Sequence, residues 1–575
     1  MGILNNYKDY KQFWPDYSNW TNEQDLENAK RSKYLQNNPQ KINQKDIERG
    51  KNLLHAIDVM DEYSQSNAED TEVATQMVMG QVVGLTTFLG TLLGGMSAFL
   101  KPVQKVITKI AKNNPAAELI ANMAPTVIGM LIGTAASFPV IAWSTKAKIG
   151  ASRRGRFDAM NNELKNPAMF AVLTPEQQKK VEELSKDVEL EDRDKKRLEK
   201  TRGKNMNPLE SFRTLKKMFK NQDEYKQKKL EFDTKLKEDE SKFDTPLSEK
   251  QIQDAKRDQQ ILANMVRKID IASQDYAENA ELATNTITTL ALGTGGLVGW
   301  VSNKILNVLK TNNKVISKFV PWAIGLTIPL AMSIYSAKIQ KQASRIARHK
   351  VKQELINNPT ELVYVDKEET KNMTDVKAPE KNKKPNIFKF FIQLVKDNKE
   401  YQNYIKTKGV EQLKQHKVLD QIELSEEQIK DAKNLQKNVF KTFNKVDEKS
   451  QSYSESVEAM GQVAQQGASL IGSLAATGIS ISKAAKMLLE NDQTVKSFTG
   501  VLGKIMPTFA LCLLPVIVLD ILTTKAQKKA SRVADMLALK ELEDYRHYAD
   551  YSEEKIEKNN TIEQNETNLL KRFQS

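Results

Sequence analysis

The chain has 575 residues, with 87 Lys and Arg against 73 Asp and Glu and a net charge of +14. Its single cysteine, Cys512, excludes a disulfide framework, and its four histidines lack ligand spacing, so we expect no metal site and no cofactor. The charges are of mixed sign and no aromatic-basic motif stands out. This pattern argues against a nucleic-acid partner and leaves solvated helix faces or attraction to anionic lipid headgroups.

Six uncharged, mainly apolar runs alternate with long charged segments. A bilayer core about 30 Å thick needs roughly 20 apolar residues in a helix, so we interpret the runs as membrane spans. The spans pair into three hairpins, and each hairpin belongs to one unit of an internal repeat. The predicted units are 1–206 (spans 73–100 and 119–145), 207–383 (spans 282–302 and 319–337) and 384–575 (spans 459–482 and 505–524).

Each unit opens with aromatic and apolar residues spaced three or four apart, which predicts a short amphipathic helix. In the second unit this helix starts at Pro208 and includes Phe212 and Phe219, and in the third it starts at Pro385 and includes Phe388. Both segments are basic. They are suited either to packing against a neighbouring helix or to lying on a headgroup layer.

A long polar helix follows in each unit. In the second and third units it begins with a capping-box pattern, at Ser248 and Ser425. A shared Ser-Gln pair lies where each long helix would enter its first span. Because an aspartate precedes each pair by three residues, three carboxylates could form a ring that attracts hard cations. The alternative is that these residues cap or pair helices. The candidate polar ring consists of Asp61, Ser64, Gln65, Asp270, Ser273, Gln274, Asp447, Ser450 and Gln451.

Small residues recur four apart in the first spans, a spacing that lets helix backbones approach closely. The predicted helix-packing residues are Gly80, Gly84, Gly90, Gly94, Gly295, Gly299 and Gly472. Each second span ends in Ala-Ser-Arg, and we interpret Arg153, Arg345 and Arg532 as a basic membrane flank. The basic flanks predict that both termini and the long connectors face the cytoplasm.

The chain carries no Gly-rich phosphate loop, no Gly-x-Ser-x-Gly and no His-Glu-x-x-His, so we expect no enzyme. The sequence predicts an all-α, multi-pass membrane protein of three repeats, each a two-span helical hairpin with long cytoplasmic amphipathic helices. A non-enzymatic scaffold or anchoring protein is the preferred function, with the lipid bilayer and cytoplasmic proteins as partners. The alternatives are a transporter or channel with pseudo-threefold hairpins, and a helical bundle whose core is formed by the apolar runs.

Overall fold

A computed structural model describes residues 2–97, 138–201, 208–308, 342–378, 386–454 and 525–551, together with residues 102, 105, 109, 456, 457 and 522. Within these ranges the chain is predominantly helical and contains no strand. The prediction of an all-α fold is therefore confirmed. The division into three repeated units stays a prediction.

The α-helices of the described ranges include three long ones, one in each predicted unit. In chain order they are α1 (Gly2–Asn37), α2 (Gln44–Ser97), α3 (Phe138–Asp158), α4 (Pro175–Lys186), α5 (Asp192–Thr201), α6 (Pro208–Lys220), α7 (Gln222–Glu240), α8 (Glu249–Val308), α9 (342–357), α10 (Lys367–Thr370), α11 (Ile387–Tyr404), α12 (Val410–Lys417), α13 (426–454) and α14 (525–541). The long helices are α2, α8 and α13. We call α3, α9 and α14 the returning helices.

Capping boxes start two of the long helices. The Ser248 hydroxyl accepts from the Gln251 amide at 3.3 Å, and the Gln251 side-chain oxygen accepts from the Ser248 amide at 2.8 Å. Ser425 and Gln428 make the same two bonds at 3.2 and 2.9 Å. These bonds satisfy amides that have no partner within the first helical turn. Both predicted capping boxes therefore form.

The long helices share one apolar core. Leu53, Ile57 and Met60 lie four and three residues apart on one face of α2, and all are buried. On α8 and α13, the residues at the corresponding positions, counted back from the Ser of each Ser-Gln pair, are also buried. They belong to the same apolar cluster as the α2 residues: Leu262, Val266, Ile269, Val439, Phe443 and Val446. The Ser-Gln pairs consequently lie at one end of a common core.

Another helix packs on the outside of each long helix, and it comes from a different predicted unit. Helix α6 lies on α2, α11 lies on α8, and α1 lies on the helix of the third unit. The hydrogen bonds that join them run from Thr214 to Asp70 (3.1 Å), from Tyr453 to Asp9 (3.2 Å) and from Tyr276 to Asp397. We call α1, α6 and α11 the outer helices. They connect neighbouring predicted units at similar positions relative to the Ser-Gln pairs.

No helix in the described ranges is both long and apolar enough to cross a membrane. This finding contradicts the predicted multi-pass membrane localisation, which was wrong. In α2 the predicted span contains Gln76 and Gln81 among glycines and threonines. In α8 the predicted span contains Asn285 and several threonines. The predicted spans 319–337 and 459–482 lie outside the described residues, as do most of 119–145 and 505–524.

The small-residue contact that the structure does describe lies elsewhere than predicted. The packing of Gly80, Gly84, Gly90, Gly94, Gly295, Gly299 and Gly472 falls outside what the structure describes. At Gly155 of α3, in contrast, an added Cβ would lie 2.3 Å from the carbonyl oxygen of Tyr63 in α2. The returning helix of the first unit therefore crosses its long helix at backbone contact.

Candidate functional site

A pair of serines joins each long helix to the returning helix of its own unit. The hydroxyl oxygens of Ser64 and Ser152 are 2.6 Å apart. The corresponding pairs are Ser273 with Ser344 and Ser450 with Ser531. In all three units, therefore, the predicted Ser of the Ser-Gln pair bonds to the Ser of the Ala-Ser-Arg segment.

The glutamine of each Ser-Gln pair reaches the returning helix of another unit. Its side-chain amide donates to a serine hydroxyl there, in the order Gln65 to Ser344 (3.0 Å), Gln274 to Ser531 (3.4 Å) and Gln451 to Ser152 (3.0 Å). The bond from Gln451 closes the cycle, because it joins the last third of the chain to the first. We call these three glutamines and the six serines the polar junction.

Two arginines of the Ala-Ser-Arg segments donate to junction glutamines. Arg153 donates to the side-chain oxygen of Gln451 at 2.8 Å, and Arg532 donates to that of Gln274 at 3.2 Å. Because a guanidinium only donates, these bonds fix which end of each amide faces the arginine. Arg345 is 3% exposed and lies 3.2 Å from Glu69. The interpretation of these residues as a membrane flank is corrected: they bind polar partners within the helix bundle.

The three predicted aspartates lie one helical turn before the Ser-Gln pairs. An arginine from another unit pairs with two of them: Arg348 lies 3.4 Å from Asp61, and Arg156 pairs with Asp447. Each of these arginines stands four residues after the junction serine of its returning helix. At the corresponding position of α14 stands Asp535 instead, and Gln274, one helical turn after Asp270, donates to its Oδ2 at 3.3 Å.

Asp535 and Asp270 are in a different electrostatic state from the paired aspartates. Burial raises the pKa of Asp535 to about 7, although hydrogen bonds from Ser450 and Gln274 oppose the shift. Burial, Asp535 and then Asp61 raise the pKa of Asp270 well above its usual range. A carboxyl that is buried beside another carboxyl holds its proton because neither charge is compensated.

The predicted cation ring finds little support in this geometry. Two of its three carboxylates are already paired with guanidinium groups. Moreover, the described part of the chain contains no cluster of three or more metal-ligating side chains that could hold an ion. The contacts favour the alternative interpretation, in which these residues join helices.

A second candidate site, which the sequence did not predict, is a cavity of about 570 Å³. It is lined by His55 of α2 and His416 of α12, whose rings stack at a centroid distance of 3.6 Å and an angle of 20°. The two histidines are remote in the sequence, so their spacing gave no signal.

Both rings in this cavity are held neutral. Burial, with Lys352 and Arg197 nearby, lowers the pKa of His416 to about 3. Burial, followed by His416, lowers the pKa of His55 as well. Arg197, which also lines the cavity, lies 3.0 Å from Glu62 and 3.4 Å from Glu163. The cavity thus combines two uncharged stacked imidazoles with charges that compensate one another.

Comparison with known proteins does not identify a function. No family model, curated protein or solved structure matches the chain. The functional assignment therefore depends on the geometry of the polar junction, the cavity and the outer helices.

Proposed function

We propose that the chain is a non-enzymatic helical scaffold, in which the polar junction fixes three long helices and the outer helices bind partner molecules. The observation that carries the proposal is the bond from Gln451 to Ser152, which closes the cycle between the last and first thirds of the chain. A closed cycle holds distant segments in one fixed arrangement. Fixed geometry of this kind is what a scaffold must provide for its partners.

The state of the junction side chains also favours a scaffold over an enzyme. Its serines bond to other serines, and its glutamines bond to serines and arginines. A catalytic serine or carboxylate needs a neighbouring base, acid or nucleophile aimed at a substrate position. Here the same groups are used to join helices.

The outer helices α6 and α11 provide the surface for a partner. On α11, Phe388 is 55% exposed and Ile392 is 59% exposed, one helical turn apart, and Lys396 continues the same stripe. On α6, exposed Phe212 and Phe219 lie among the basic residues of a Lys-rich helix. Exposed apolar groups beside lysines are suited to a partner that presents both apolar and acidic groups.

The experiment compares two surface changes in the full chain. Replacing both Phe388 and Ile392 with Ser should remove co-purifying partners and the cellular phenotype, while the unfolding midpoint stays the same. The matched control is Leu230→Ser, which removes an equally exposed apolar side chain from α7. The scaffold proposal is wrong if two results are found together. The Phe388 and Ile392 double variant keeps its partners and the phenotype, and His416→Ala, in a folded protein, abolishes the phenotype. The function would then belong to the cavity.

Anionic lipid headgroups are a second candidate partner for the same stripes, because aromatic and basic side chains share one exposed helix face. Sedimentation with vesicles distinguishes this candidate from a protein partner. Binding to anionic but not to neutral vesicles, reduced by the Phe388 and Ile392 double variant and unchanged by Leu230→Ser, would support it. A transporter or channel is not proposed, since that alternative depended on the membrane spans.

A further inference from the structure

We call Asp61, Asp270 and Asp447, with the residues that face them from the returning helices, the aspartate layer. One of its three contacts departs from the pattern of the other two. Arg156 and Arg348 each stand four residues after a junction serine and pair with an aspartate of another unit. Asp535 occupies the corresponding position of α14, and it faces the same side of α8 as Asp270, because Gln274, one helical turn after Asp270, donates to its Oδ2 at 3.3 Å. A carboxyl therefore stands where the other two contacts have a guanidinium.

The surroundings of this carboxyl pair do not neutralise two negative charges. Four carboxyls and three guanidiniums meet in the layer, and each guanidinium already has another carboxylate partner: Arg348 pairs with Asp61, Arg156 with Asp447 and Arg532 with Asp275. Two ionised carboxylates in a poorly hydrated site repel strongly, so one of them retains a proton. The groups that face the pair are Asp61 from α2, Arg156 from α3, Gln274 from α8, Arg348 from α9, Ser450 from α13 and Arg532 from α14.

A buried oxygen atom independently points to the same ligand. Asp535 is only 7% exposed, and its Oδ2 accepts from Gln274 at 3.3 Å. Its Oδ1 is buried, and no hydrogen-bond donor for it is found in the described part of the chain. An ionised carboxylate only accepts, whereas a protonated carboxyl also donates. A proton held by the carboxyl pair would thus supply a donor that an ionised pair lacks.

We propose that Asp270 and Asp535 form a proton-binding site that joins the second and third units while it is protonated and weakens their contact as it loses a proton. The ligand is a proton, and the site is independent of any partner bound at the outer helices. Loss of a proton places a negative charge at a position where the other two contacts have a guanidinium. The contact between α8 and α14 is the part of the junction that then loosens.

The direction of the pH effect follows from the two states of the chain. The usual pKa of an aspartate is 3.8, and in the folded protein the pKa of Asp535 is raised to about 7. Between these values the folded chain binds more protons than the unfolded chain, so stability falls as pH rises. The stabilisation by the pair is complete below pH 3.8 and is lost as pH rises through about 7.

The test compares the full chain with Asp535→Asn by urea unfolding at pH 5 and pH 8. Asn keeps the shape, removes the charge and supplies an N–H donor to Asp270. From pH 5 to pH 8, the unfolding constant of the unmodified protein should rise at least tenfold relative to that of the variant. Infrared spectra should show the C=O band of a protonated carboxyl in the unmodified protein, titrating near pH 7 and missing from the variant.

Two further variants separate proton binding from a merely structural role. Asp535→Arg recreates the ion pair found at the other two positions, so it should abolish the pH dependence and keep the protein folded at pH 8. Asp447→Asn removes a carboxylate that is paired with arginine; it should lower stability at both pH values and leave the infrared band unchanged.

The proposal is overturned if the unmodified protein shows no protonated-carboxyl band at pH 5 to 6, a measurement that requires no variant. It is also overturned if Asp535→Asn and the unmodified protein have the same pH dependence. Titration with K⁺ or Ca²⁺ at pH 8 gives a third outcome. Stabilisation of the unmodified protein that is absent from Asp535→Asn would mean that a metal cation, and not a proton, occupies the site.

Discussion

Gly155 of α3 lies against the backbone of Tyr63 in α2, so closely that a Cβ at Gly155 would be 2.3 Å from the Tyr63 carbonyl oxygen and 2.7 Å from its carbonyl carbon. This crossing lies between two contacts of the junction. Ser152, three residues earlier, bonds to Ser64, and Arg156, one residue later, pairs with Asp447. The absence of a side chain at Gly155 therefore sets the helix separation that both contacts need.

Gly155→Ala should destabilise the protein by about 1–3 kcal/mol, because overpacking against backbone atoms cannot be relieved by a rotamer change. Chemical denaturation followed by circular dichroism measures the loss. The matched control is Gly150→Ala in the same helix, where no described atom lies within 4 Å of the added Cβ. That variant should gain up to about 1 kcal/mol, since alanine loses less backbone entropy than glycine in a helix. Equal effects of the two substitutions would show that the crossing is not the cause.

Arg49 and Asp258 form a buried ion pair between α2 and α8, with 2.8 Å between Nη2 and Oδ2 and side chains 3% and 0% exposed. Asn438 of α13 donates to the same carboxylate oxygen at 2.8 Å. Asp258→Ala should cost about 3–5 kcal/mol, because it leaves a buried guanidinium without its carboxylate. Thermal unfolding of the full chain gives the measurement.

A double replacement separates this ion pair from simple loss of packing. Changing Arg49 to Met together with Asp258 to Leu should recover more than half of the stability lost by Asp258→Ala, since neither charge of the buried pair is left without the other. Asn438 keeps a partner in the double variant, because it also donates to the Tyr548 carbonyl at 3.0 Å. A double variant that is as unstable as Asp258→Ala would mean that the salt bridge is not the source of the loss.

Features set by local spacing could be predicted from the sequence. The capping boxes at Ser248 and Ser425 depend on one residue three positions later, and both formed. The Ser-Gln pairs were found because they recur, and Gln451 does contact Ser152 of a remote segment. The arginines of the Ala-Ser-Arg segments were interpreted as a basic membrane flank because their partners, such as Gln451 for Arg153, are distant in the sequence.

Other features required knowledge of which helix faces meet. Asp535 stands four residues after Ser531, where the other units have arginine, so the difference was present in the sequence. Its meaning depended on knowing that this face points towards Asp270. The rings of His55 in α2 and His416 in α12 stack on one another. No local sequence pattern indicates this contact. The membrane spans were inferred from the absence of charge, although uncharged Gln and Asn also lower hydropathy.

His416 should make the protein less stable in acid. Its usual pKa is 6.5, and burial followed by Lys352 and Arg197 lowers it to about 3 in the folded state. Between these values the unfolded chain binds more protons, so stability falls as pH decreases from 6.5 towards about 3. The expected slope is about 1 kcal/mol per pH unit, and His416→Phe should remove it while retaining a planar ring against His55.

This slope has the opposite sign to that of the carboxyl pair over much of the same pH range. Difference measurements on single variants are therefore needed: His416→Phe should gain stability relative to the unmodified protein as pH falls from 6.5 to 4.5. Asp535→Asn should gain relative stability as pH rises. A His416→Phe variant whose pH profile parallels that of the unmodified protein would contradict the buried neutral state of this ring.

The three junction glutamines should differ in their contributions although their sequence context is the same. Gln451 donates to Ser152 at 3.0 Å and accepts from Arg153 at 2.8 Å. Gln65 donates to Ser344 at 3.0 Å, but its buried side-chain oxygen has no hydrogen-bond donor in the described part of the chain. Because bonds to charged groups contribute more than neutral ones, Gln451→Ala should cost about 1 kcal/mol more than Gln65→Ala.

Urea unfolding of the two variants measures this difference directly. The control is Gln227→Ala on α7, whose exposed side chain bonds only weakly to Glu231 at 3.4 Å and should change stability by less than about 0.5 kcal/mol. Hydrogen exchange adds a local readout: Gln451→Ala should increase amide exchange around Ser152 in α3, and Gln65→Ala should do so around Ser344 in α9. If either variant instead raised exchange equally in both returning helices, the cyclic bonds would not act as separate contacts between units.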